Sequence, residues 1–312
     1  MSAFKSLYFT LLPYLCFIPV GYILSKNKII PKAYINKPLL FLFLPILVID
    51  KVLEANVSNI AILAVISFSL SFLMLGPAVF VHRKLESHLN INILKSSYAY
   101  FNVAFFGIPV VTALFGEEGI TVLICIYIGS ALYGNILGYI QVAKSRFTTR
   151  EAVREVFKVP FIYAISLAVI LKVFQVEPPE ILGSITSVLS VVVSVAGMTI
   201  IGMSLTTIKF RSVSWKYYAR ILGVRVLAAI LIVSGLLCLE YILIDGLNSE
   251  DRQVMALISL FPIAVNLAVF ASFLRSWEEE AALLILFSTV MSLVLVPAGA
   301  MLLQYLTEQG VL

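Results

Sequence analysis

Asn102-Val-Ala-Phe-Phe-Gly-Ile-Pro109-Val-Val-Thr-Ala-Leu-Phe-Gly116 lies in the middle of an apolar segment long enough to cross a bilayer, yet it contains an Asn, a Gly and a Pro. Inside lipid, irregular backbone is tolerated only where it is buried in protein or lines a cavity. Secondary transporters use membrane helices broken at the middle to expose backbone groups to a substrate near the bilayer midplane. The stretch therefore predicts a broken membrane helix beside a cavity.

The composition of the whole chain is that of a membrane protein. Hydrophobic residues make up 61% of the 312 residues, charged residues make up 12%, and the mean hydropathy is +1.04. The chain holds about ten apolar runs, each of the ~20 residues that a helix needs to cross the hydrocarbon. These properties exclude a soluble globular domain and predict an all-α polytopic membrane protein. The expected location is the plasma membrane. The net charge of +5 does not indicate nucleic-acid binding, because Lys and Arg lie in short loops between the runs.

The apolar runs predict ten transmembrane helices, which we number as spans 1 to 10. The first run is interpreted as a retained span and not as a cleaved signal peptide, because it is long and contains Pro13 and Pro19. Cys16, Cys125 and Cys238 all fall inside apolar runs, so we expect small buried hydrophobic residues and neither disulfides nor metal ligands. The predicted bounds are Leu7–Ser25, Pro38–Leu53, Ile60–Val81, Ser96–Phe115, Ile120–Ala143, Pro160–Val176, Ile181–Leu205, Tyr217–Leu239, Val254–Leu274 and Ala281–Leu303.

The distribution of cations predicts the orientation of these spans. Of the 22 Lys and Arg residues, 17 fall in the loops on one side of the ten spans and four on the other, and Arg225 falls within a span. Cytoplasmic loops carry the excess of Lys and Arg. We therefore expect both termini outside and the basic connector, residues 144–158, in the cytoplasm.

The two mid-span prolines suggest an internal repeat. Pro109 and Pro262 lie 153 residues apart, each in the fourth span of a five-span half. An odd number of spans per half turns the second half upside down relative to the first, as in many transporters. The expected organisation is a first repeat over residues 1–143, the connector, and an inverted repeat over residues 159–312. Prolines are common in membrane helices, so a chance pairing is the alternative.

Several stretches resemble the auxin efflux carrier (AEC) family, which includes the plant PIN carriers and many bacterial members. The segment from Asn102 to Pro109, followed by Leu-Phe-Gly116, resembles helix 4 of that family. Further resemblances cover nearly the whole chain in the family's order: Gly21-Tyr-Ile-Leu-Ser-Lys-Asn-Lys-Ile29 through Ile35-Asn36 to Leu44-Pro45, Ala196-Gly197 to Gly202-Met-Ser-Leu205, Pro262 with Val269-Phe270-Ala271, Phe287-Ser-Thr289 and Pro297.

The resemblance implies a scaffold domain of spans 1, 2, 6 and 7 and a transport domain of spans 3–5 and 8–10. It further implies that spans 4 and 9 cross at their breaks, that an elevator-like motion carries the substrate, and that the protein is a homodimer. The chain departs from the plant pattern at Val48, where plant carriers have a hydroxyl residue, and at Val159 and Phe161, where they have Asn. These apolar replacements argue against auxin itself as the substrate.

The candidate substrate-binding residues are those at the two predicted breaks. Half-helix N-termini carry a partial positive charge of roughly half a unit, so two broken helices meeting there favour an anion. Asn102 and Asn266 are expected to bind a carboxylate, or alternatively only to satisfy backbone freed at the breaks. Gly107 is expected either to let the substrate approach closely or to serve helix packing. Pro109 and Pro262 complete the predicted site.

Arg225 is the only charge deep inside a predicted span, which makes it a possible accessory residue that anchors the moving domain or attracts anions. No Asp, Glu or His lies in the middle of a span, so proton coupling through a carboxylate is not expected. Uniport, or sodium bound by backbone carbonyls, is favoured instead. The scarcity of cations favours a monocarboxylate over a dicarboxylate.

Other function classes receive less support. The chain has no His-Glu-x-x-His helix, no Gly-x-Ser-x-Gly elbow and no buried general base, which argues against an enzyme. The spans offer no continuous charged pore, which argues against a channel. The predicted function is a secondary transporter for a small organic anion, with no cofactor and no bound metal. A sodium-coupled bile-acid-type symporter of the same inverted-repeat plan is the alternative.

Overall fold

The computed structural model of the chain describes residues 9, 12–54, 57–85, 88–176, 178–206, 208 and 213–308. Within these ranges the regular elements are all helical and there is no β-strand. The expected all-α class is confirmed. The fifteen α-helices described here, numbered α1 to α15, are Phe17–Lys26, Lys32–Pro38, Leu44–Glu54, Val57–Leu73, Leu75–Lys84, Ile91–Ala99, Gly107–Leu132, Tyr139–Ala143, Thr149–Val156, Phe161–Val173, Glu180–Ser204, Trp215–Leu243, Ser249–Ile258, Asn266–Leu274 and Glu278–Glu308. Two π-helices, π1 and π2, cover Leu39–Phe43 and Tyr133–Gly138.

Six continuous helical segments in the described part of the chain are long and apolar enough to cross a membrane, which confirms a membrane protein. A bent pair, α9 with α10 at 51°, raises the number to seven if it is counted as one span. The six segments overlap predicted spans 2, 3, 5, 7, 8 and 10, and they cover Lys32–Asp50, Ala61–Lys84, Glu118–Ala143, Ile181–Ser204, Trp215–Leu243 and Glu278–Leu303. Spans 4 and 9 are interrupted, so neither forms one continuous helix long enough to cross a membrane. The start of span 1 lies outside the described residues.

Close helix packing depends on small residues. A Cβ atom on Gly21 of α1 would lie 2.0 Å from the Thr199 carbonyl oxygen of α11, and one on Gly202 of α11 would lie 1.9 Å from the Ile18 carbonyl oxygen. Small residues let membrane helices approach in this way, because lipid tails provide no hydrophobic force between helices. The backbones of α1 and α11 are therefore in direct contact.

The remaining helices pack in preferred pairs. Helix α3 packs along α10, α4 packs along α7, and α14 packs against α15. The helices of predicted spans 1, 2, 6 and 7 thus contact mainly one another, as do those of spans 3–5 and 8–10. The assignment of these groups to a scaffold domain and a transport domain stays a prediction.

Candidate functional site

Two breaks interrupt the helices where the sequence predicts them. Residues 100–106 separate α6 from α7, and residues 259–265 separate α13 from α14, so each break is seven residues long. Pro109 is the third residue of α7, a first-turn position that needs no N–H group, whereas Pro262 lies within the second break. The breaks are therefore offset by 159 residues and not by the 153 residues that separate the prolines. The prolines do not occupy equivalent positions in their breaks.

The two breaks touch each other. The Asn102 backbone N–H donates a hydrogen bond to the Pro262 carbonyl oxygen at 2.9 Å. Beside this bond the rings of Phe106 and Phe261 meet edge to face, with their centroids 5.5 Å apart. A Cβ atom on Gly107 would come within 2.8 Å of Phe261 Cε2. The structure thus brings Asn102, Gly107 and Pro262 together and shows that Gly107 packs directly on the opposite break.

The Asn102 side chain serves the backbone of its own break. Its Oδ1 accepts hydrogen bonds from the N–H groups of Phe105 at 3.2 Å and Phe106 at 3.3 Å. The backbone carbonyl oxygen of Asn102 accepts a hydrogen bond from the Gly107 N–H at 3.1 Å. The amide oxygen thus caps the chain entering α7. Any contact of this side chain with a ligand must come from its NH₂ group.

Arg225 joins both breaks from α12. Its guanidinium donates to three carbonyl oxygens: Nε to Ser97 at 2.9 Å, Nη2 to Tyr100 at 2.9 Å and Nη1 to Phe261 at 3.1 Å. The guanidinium carbon also lies 4.4 Å from the ring centroid of Phe101, and the residue is 1% exposed. A broken helix leaves carbonyls without partners, which is costly in lipid. Arg225 supplies those partners and lines neither cavity described below.

Serine hydroxyls of α15 support the second break. Ser288 Oγ accepts a hydrogen bond from the Ile263 N–H at 3.0 Å, and Ser292 Oγ donates to the Leu260 carbonyl oxygen at 2.7 Å. Hydroxyl side chains of neighbouring helices commonly satisfy backbone groups freed in membrane helices. Each break is therefore held by side chains from elsewhere in the chain.

Two adjoining cavities lie at the crossover. The smaller cavity has a volume of about 30 Å³. The polar residues that line it are Tyr100, Asn102, Tyr127, Ser130, Asn135 and Asn266. The larger has a volume of about 480 Å³ and extends between α7 and α11. The two share a wall, because Val103, Ala104, Phe105 and Tyr127 line both.

The larger cavity has an uncharged lining. Its polar groups include the hydroxyls of Thr112, Ser187, Ser190 and Ser194, and Pro109 forms part of its wall. The two asparagines therefore share the small cavity and Pro109 borders the large one. Pro262 does not line either cavity, although its carbonyl holds Asn102.

Asn135 lines the smaller cavity and is not among the residues predicted from the sequence. It lies on π2, it is 2% exposed, and its Oδ1 has no hydrogen-bond partner among the described residues. Single π-helical turns inside α-helices are frequent at functional sites. Here the π-helix is held by Tyr100, whose hydroxyl donates to the Gly134 carbonyl oxygen at 2.8 Å. Gly134 and Gly138 lie four residues apart beside this ring. This pair of glycines is the feature of the sequence that could have indicated a close contact near Asn135.

The positions at which the chain departs from the plant pattern are buried and apolar. Val48 is 1% exposed, and Val159 and Phe161 are fully buried. The Phe161 ring packs against that of Phe270, with 5.9 Å between centroids. These side chains add no polar group to the crossover.

The buried acids of the described chain lie near the ends of helices. Glu240, near the end of α12, accepts hydrogen bonds from the N–H groups of Gly246 and Leu247 and pairs with Arg252 at 3.1 Å. No group of three or more His, Cys, Asp or Glu side chains in the described residues has a metal-binding arrangement. Cys125 is buried as expected, whereas Cys16 and Cys238 are exposed on the helix surface because they face away from neighbouring helices.

Comparison of the chain with models of known protein families and with curated proteins gives no match. The resemblance to the AEC family therefore stays an expectation from the sequence. The functional assignment rests on the geometry of the crossover.

Proposed function

We propose that the protein is a secondary transporter, of the AEC type, that moves a small organic monocarboxylate across the plasma membrane. The observation that carries this proposal is the contact between two broken helices, closed by the Asn102–Pro262 hydrogen bond beside two uncharged cavities. Broken helices meeting at a cavity are typical of substrate sites in secondary transporters.

The electrostatics of the crossover favour an anion. Residues at the N-termini of α7 and α14 line the cavities, and each N-terminus contributes roughly half a positive charge. The opposite partial charge at the C-terminal end of α6 is compensated, because Arg225 binds the carbonyls of Ser97 and Tyr100. A carboxylate placed between the two N-termini therefore meets a positive potential without touching a cationic side chain.

The cavity size and lining favour a monocarboxylate with an apolar body. A volume of about 480 Å³ accommodates a small organic molecule, and ligand sites of this size are mostly apolar with a few placed polar groups. A second carboxylate would have to lie among uncharged side chains, where a charge without a partner is strongly disfavoured. The polar end would lie near Asn102, and the apolar end would lie between α7 and α11.

The geometry around the breaks supports an inverted repeat of two five-helix halves. Helix α7 is kinked at Gly116, so each break is followed by nine helical residues and then by a residue with positive φ, Gly116 at 70° and Arg275 at 51°. A longer apolar helical segment follows each of these residues, Glu118–Ala143 in the first half and Glu278–Leu303 in the second. We further propose ten spans, both termini outside, residues 144–158 in the cytoplasm, and an elevator motion of spans 3–5 and 8–10 against a dimeric scaffold.

A sodium-coupled symporter of the bile-acid type is the second candidate. Asn135 Oδ1, which has no partner among the described residues, borders a cavity of about 30 Å³ that is too small for an organic anion. An amide oxygen in a space of that size suits a monovalent cation or a water molecule. The proximity of Arg225 to the same crossover opposes a cation, so uniport is the first candidate.

The test is uptake into proteoliposomes that contain the purified full-length protein. Radiolabelled monocarboxylates and dicarboxylates are supplied with and without sodium and with and without a pH gradient. We expect saturable monocarboxylate uptake that Asn102→Ala abolishes, whereas Asn27→Ala, at an exposed asparagine, leaves it intact. No uptake of any carboxylate would remove the proposal, and uptake that requires sodium would favour the second candidate.

A further inference from the structure

An ion pair connects distant parts of the chain at one end of the helical bundle. Lys32 Nζ lies 2.6 Å from Glu278 Oε2 and donates to Ser204 Oγ at 3.2 Å. Lys32 begins α2, Ser204 ends α11 and Glu278 begins α15. Under the proposed domain division, the first two belong to the scaffold and Glu278 belongs to the transport domain. The pair therefore closes the boundary between the domains at this end, which we call the Lys32 end.

The ion pair stands in a cleft that is rich in cations. The cleft has a volume of about 640 Å³, and Lys28, Lys32, Lys37 and Arg275 line it together with one acid, Glu278. A second opening of about 620 Å³ lies beside it and adds Trp277, Glu279 and Glu280. Lys32 thus lies between the cation-lined cleft and the acidic first turn of α15. Of the acids in that turn, Glu278 is the one that pairs with the Lys32 ammonium group.

The cleft lies on the opposite side of the crossover from the 480 Å³ cavity. That cavity reaches Ser194 on α11 and the cleft reaches Met203, nine residues or ~14 Å farther along the same helix. Between them Gly197 abuts the second break, since a Cβ atom there would lie 2.4 Å from Val265 Cγ1. The cavity and the cleft therefore lie along the same helix, on either side of the second break.

The turn that carries Glu278 is held in an unusual backbone conformation. Arg275 and Trp277 are non-glycine residues with φ of 51° and 53°, in the left-handed region. The turn is fixed from outside, because Ser276 Oγ lies 2.9 Å from Ser145 Oγ and the Arg146 guanidinium donates to the Leu274 carbonyl oxygen. Strained backbone persists only where the surroundings impose it, and it concentrates at functional sites. This turn leads directly into the start of α15, where Glu278 pairs with Lys32.

We infer that this cleft is a second binding site for the transported carboxylate, in which Glu278 acts as an internal competitor for the Lys32 ammonium group. The inference rests on the proposed function, because that function supplies the ligand class. A carboxylate that takes the place of Glu278 at Lys32 breaks the link between α2 and α15. Ligand binding and opening of the Lys32 end are then the same event, and an empty cleft stays closed.

Tryptophan fluorescence gives a direct test, because the chain has two tryptophans and Trp277 lines the second opening, which shares Lys32 and Glu278 with the cleft. Trp215→Phe leaves Trp277 as the single reporter. The purified full-length variant is titrated with sodium propionate, and sodium chloride of equal ionic strength corrects for screening. We expect a saturable propionate signal, loss of that signal in Lys32→Gln, and its retention in Lys32→Arg.

Glu278→Gln is the decisive variant. It removes the competitor, so the half-saturating propionate concentration should fall by about two- to five-fold, as expected for release from a partly exposed ion pair. Lys158→Gln, at an exposed ion pair outside the cleft, is the matched control and should titrate like its parent. The inference would be overturned if Glu278→Gln left the half-saturating propionate concentration unchanged or raised it. It would also be overturned if the chloride curve equalled the propionate curve, or if Lys32→Gln kept the signal.

The same proteins separate this inference from the proposed function. Carboxylate uptake by proteoliposomes with no saturable propionate signal would leave the transporter standing and remove the second site. A saturable signal with the expected variant effects, but no uptake, would refute transport and leave a carboxylate-binding cleft.

Discussion

Replacement of Arg225 by Met tests whether this residue holds the crossover together. The substitution keeps an apolar side chain of useful length in a fully buried position but removes three donors to the Ser97, Tyr100 and Phe261 carbonyls. A buried backbone group without its partner costs about 1–3 kcal/mol, so the three together cost about 3–9 kcal/mol. Domains are typically stable by only about 5–15 kcal/mol, so such a loss is a large fraction of the total.

The assay is thermal unfolding of the purified protein, followed by the fraction that remains monodisperse. We expect the midpoint of Arg225→Met to fall by about 10 °C or more, on the usual relation between free energy and melting temperature. Arg220→Met is the matched control, because it removes a cation from an exposed position of the same helix. Arg225→Lys should lie between the two, since one ammonium group cannot replace a planar guanidinium at three acceptors.

A residue that binds substrate would give a different pattern. If Arg225 contacts the transported anion, Arg225→Met should leave the melting midpoint near that of Arg220→Met and raise the KM for uptake. That result would refute the structural role derived from its three hydrogen bonds. Measuring uptake and unfolding on the same preparations distinguishes the two roles.

Three further substitutions test the crossover and the helix contacts. Asn102→Asp keeps the oxygen that accepts the Phe105 N–H but loses the amide donor. The variant should insert and unfold like the parent, and its uptake in proteoliposomes should disappear. Normal uptake would show that the Asn102 amide is not part of the site. Gly107→Ala places a methyl group 2.8 Å from a Phe261 ring carbon and should cost about 1–3 kcal/mol in thermal unfolding, with recovery expected when Phe261→Leu is added. Gly202→Ala places its methyl group against the Ile18 backbone and not against an adaptable side chain, so its melting midpoint should fall below that of Gly107→Ala. Gly223→Ala has open space around the new methyl group, so its melting midpoint should stay at that of the parent.

The positions of the two breaks were accessible from the sequence. A Pro-containing, polar stretch inside an apolar run predicts an interruption, and the described breaks at residues 100–106 and 259–265 lie within the predicted spans. The offset between the two breaks was not accessible, because Pro109 lies in the first turn of α7 whereas Pro262 lies within the second break. Gly116 and Arg275, 159 residues apart, both have positive φ. Their correspondence could not be predicted from the sequence, because the positive φ of Arg275 is imposed by its surroundings.

The role of Arg225 shows why the site required the tertiary structure. Sequence marks an intramembrane arginine as functional, but its three acceptors lie 36, 125 and 128 residues away in the chain. Asn135 was missed for a related reason, since π2 forms where Tyr100, 34 residues earlier, holds the Gly134 carbonyl. Local periodicity carries no information about such distant partners.

The sequence by itself determined the helical, membrane-embedded class, the distribution of cations between loops, and the places where helices must break. These features depend on transfer of side chains into lipid and on hydrogen bonds between near neighbours along the chain. Only the tertiary structure decided which groups repair the broken helices, which residues share a cavity, and that Lys32 faces Glu278. The physical reason is that backbone groups released by Asn102–Gly116 and its counterpart find partners only on helices from other parts of the chain, so those partners depend on how the helices pack.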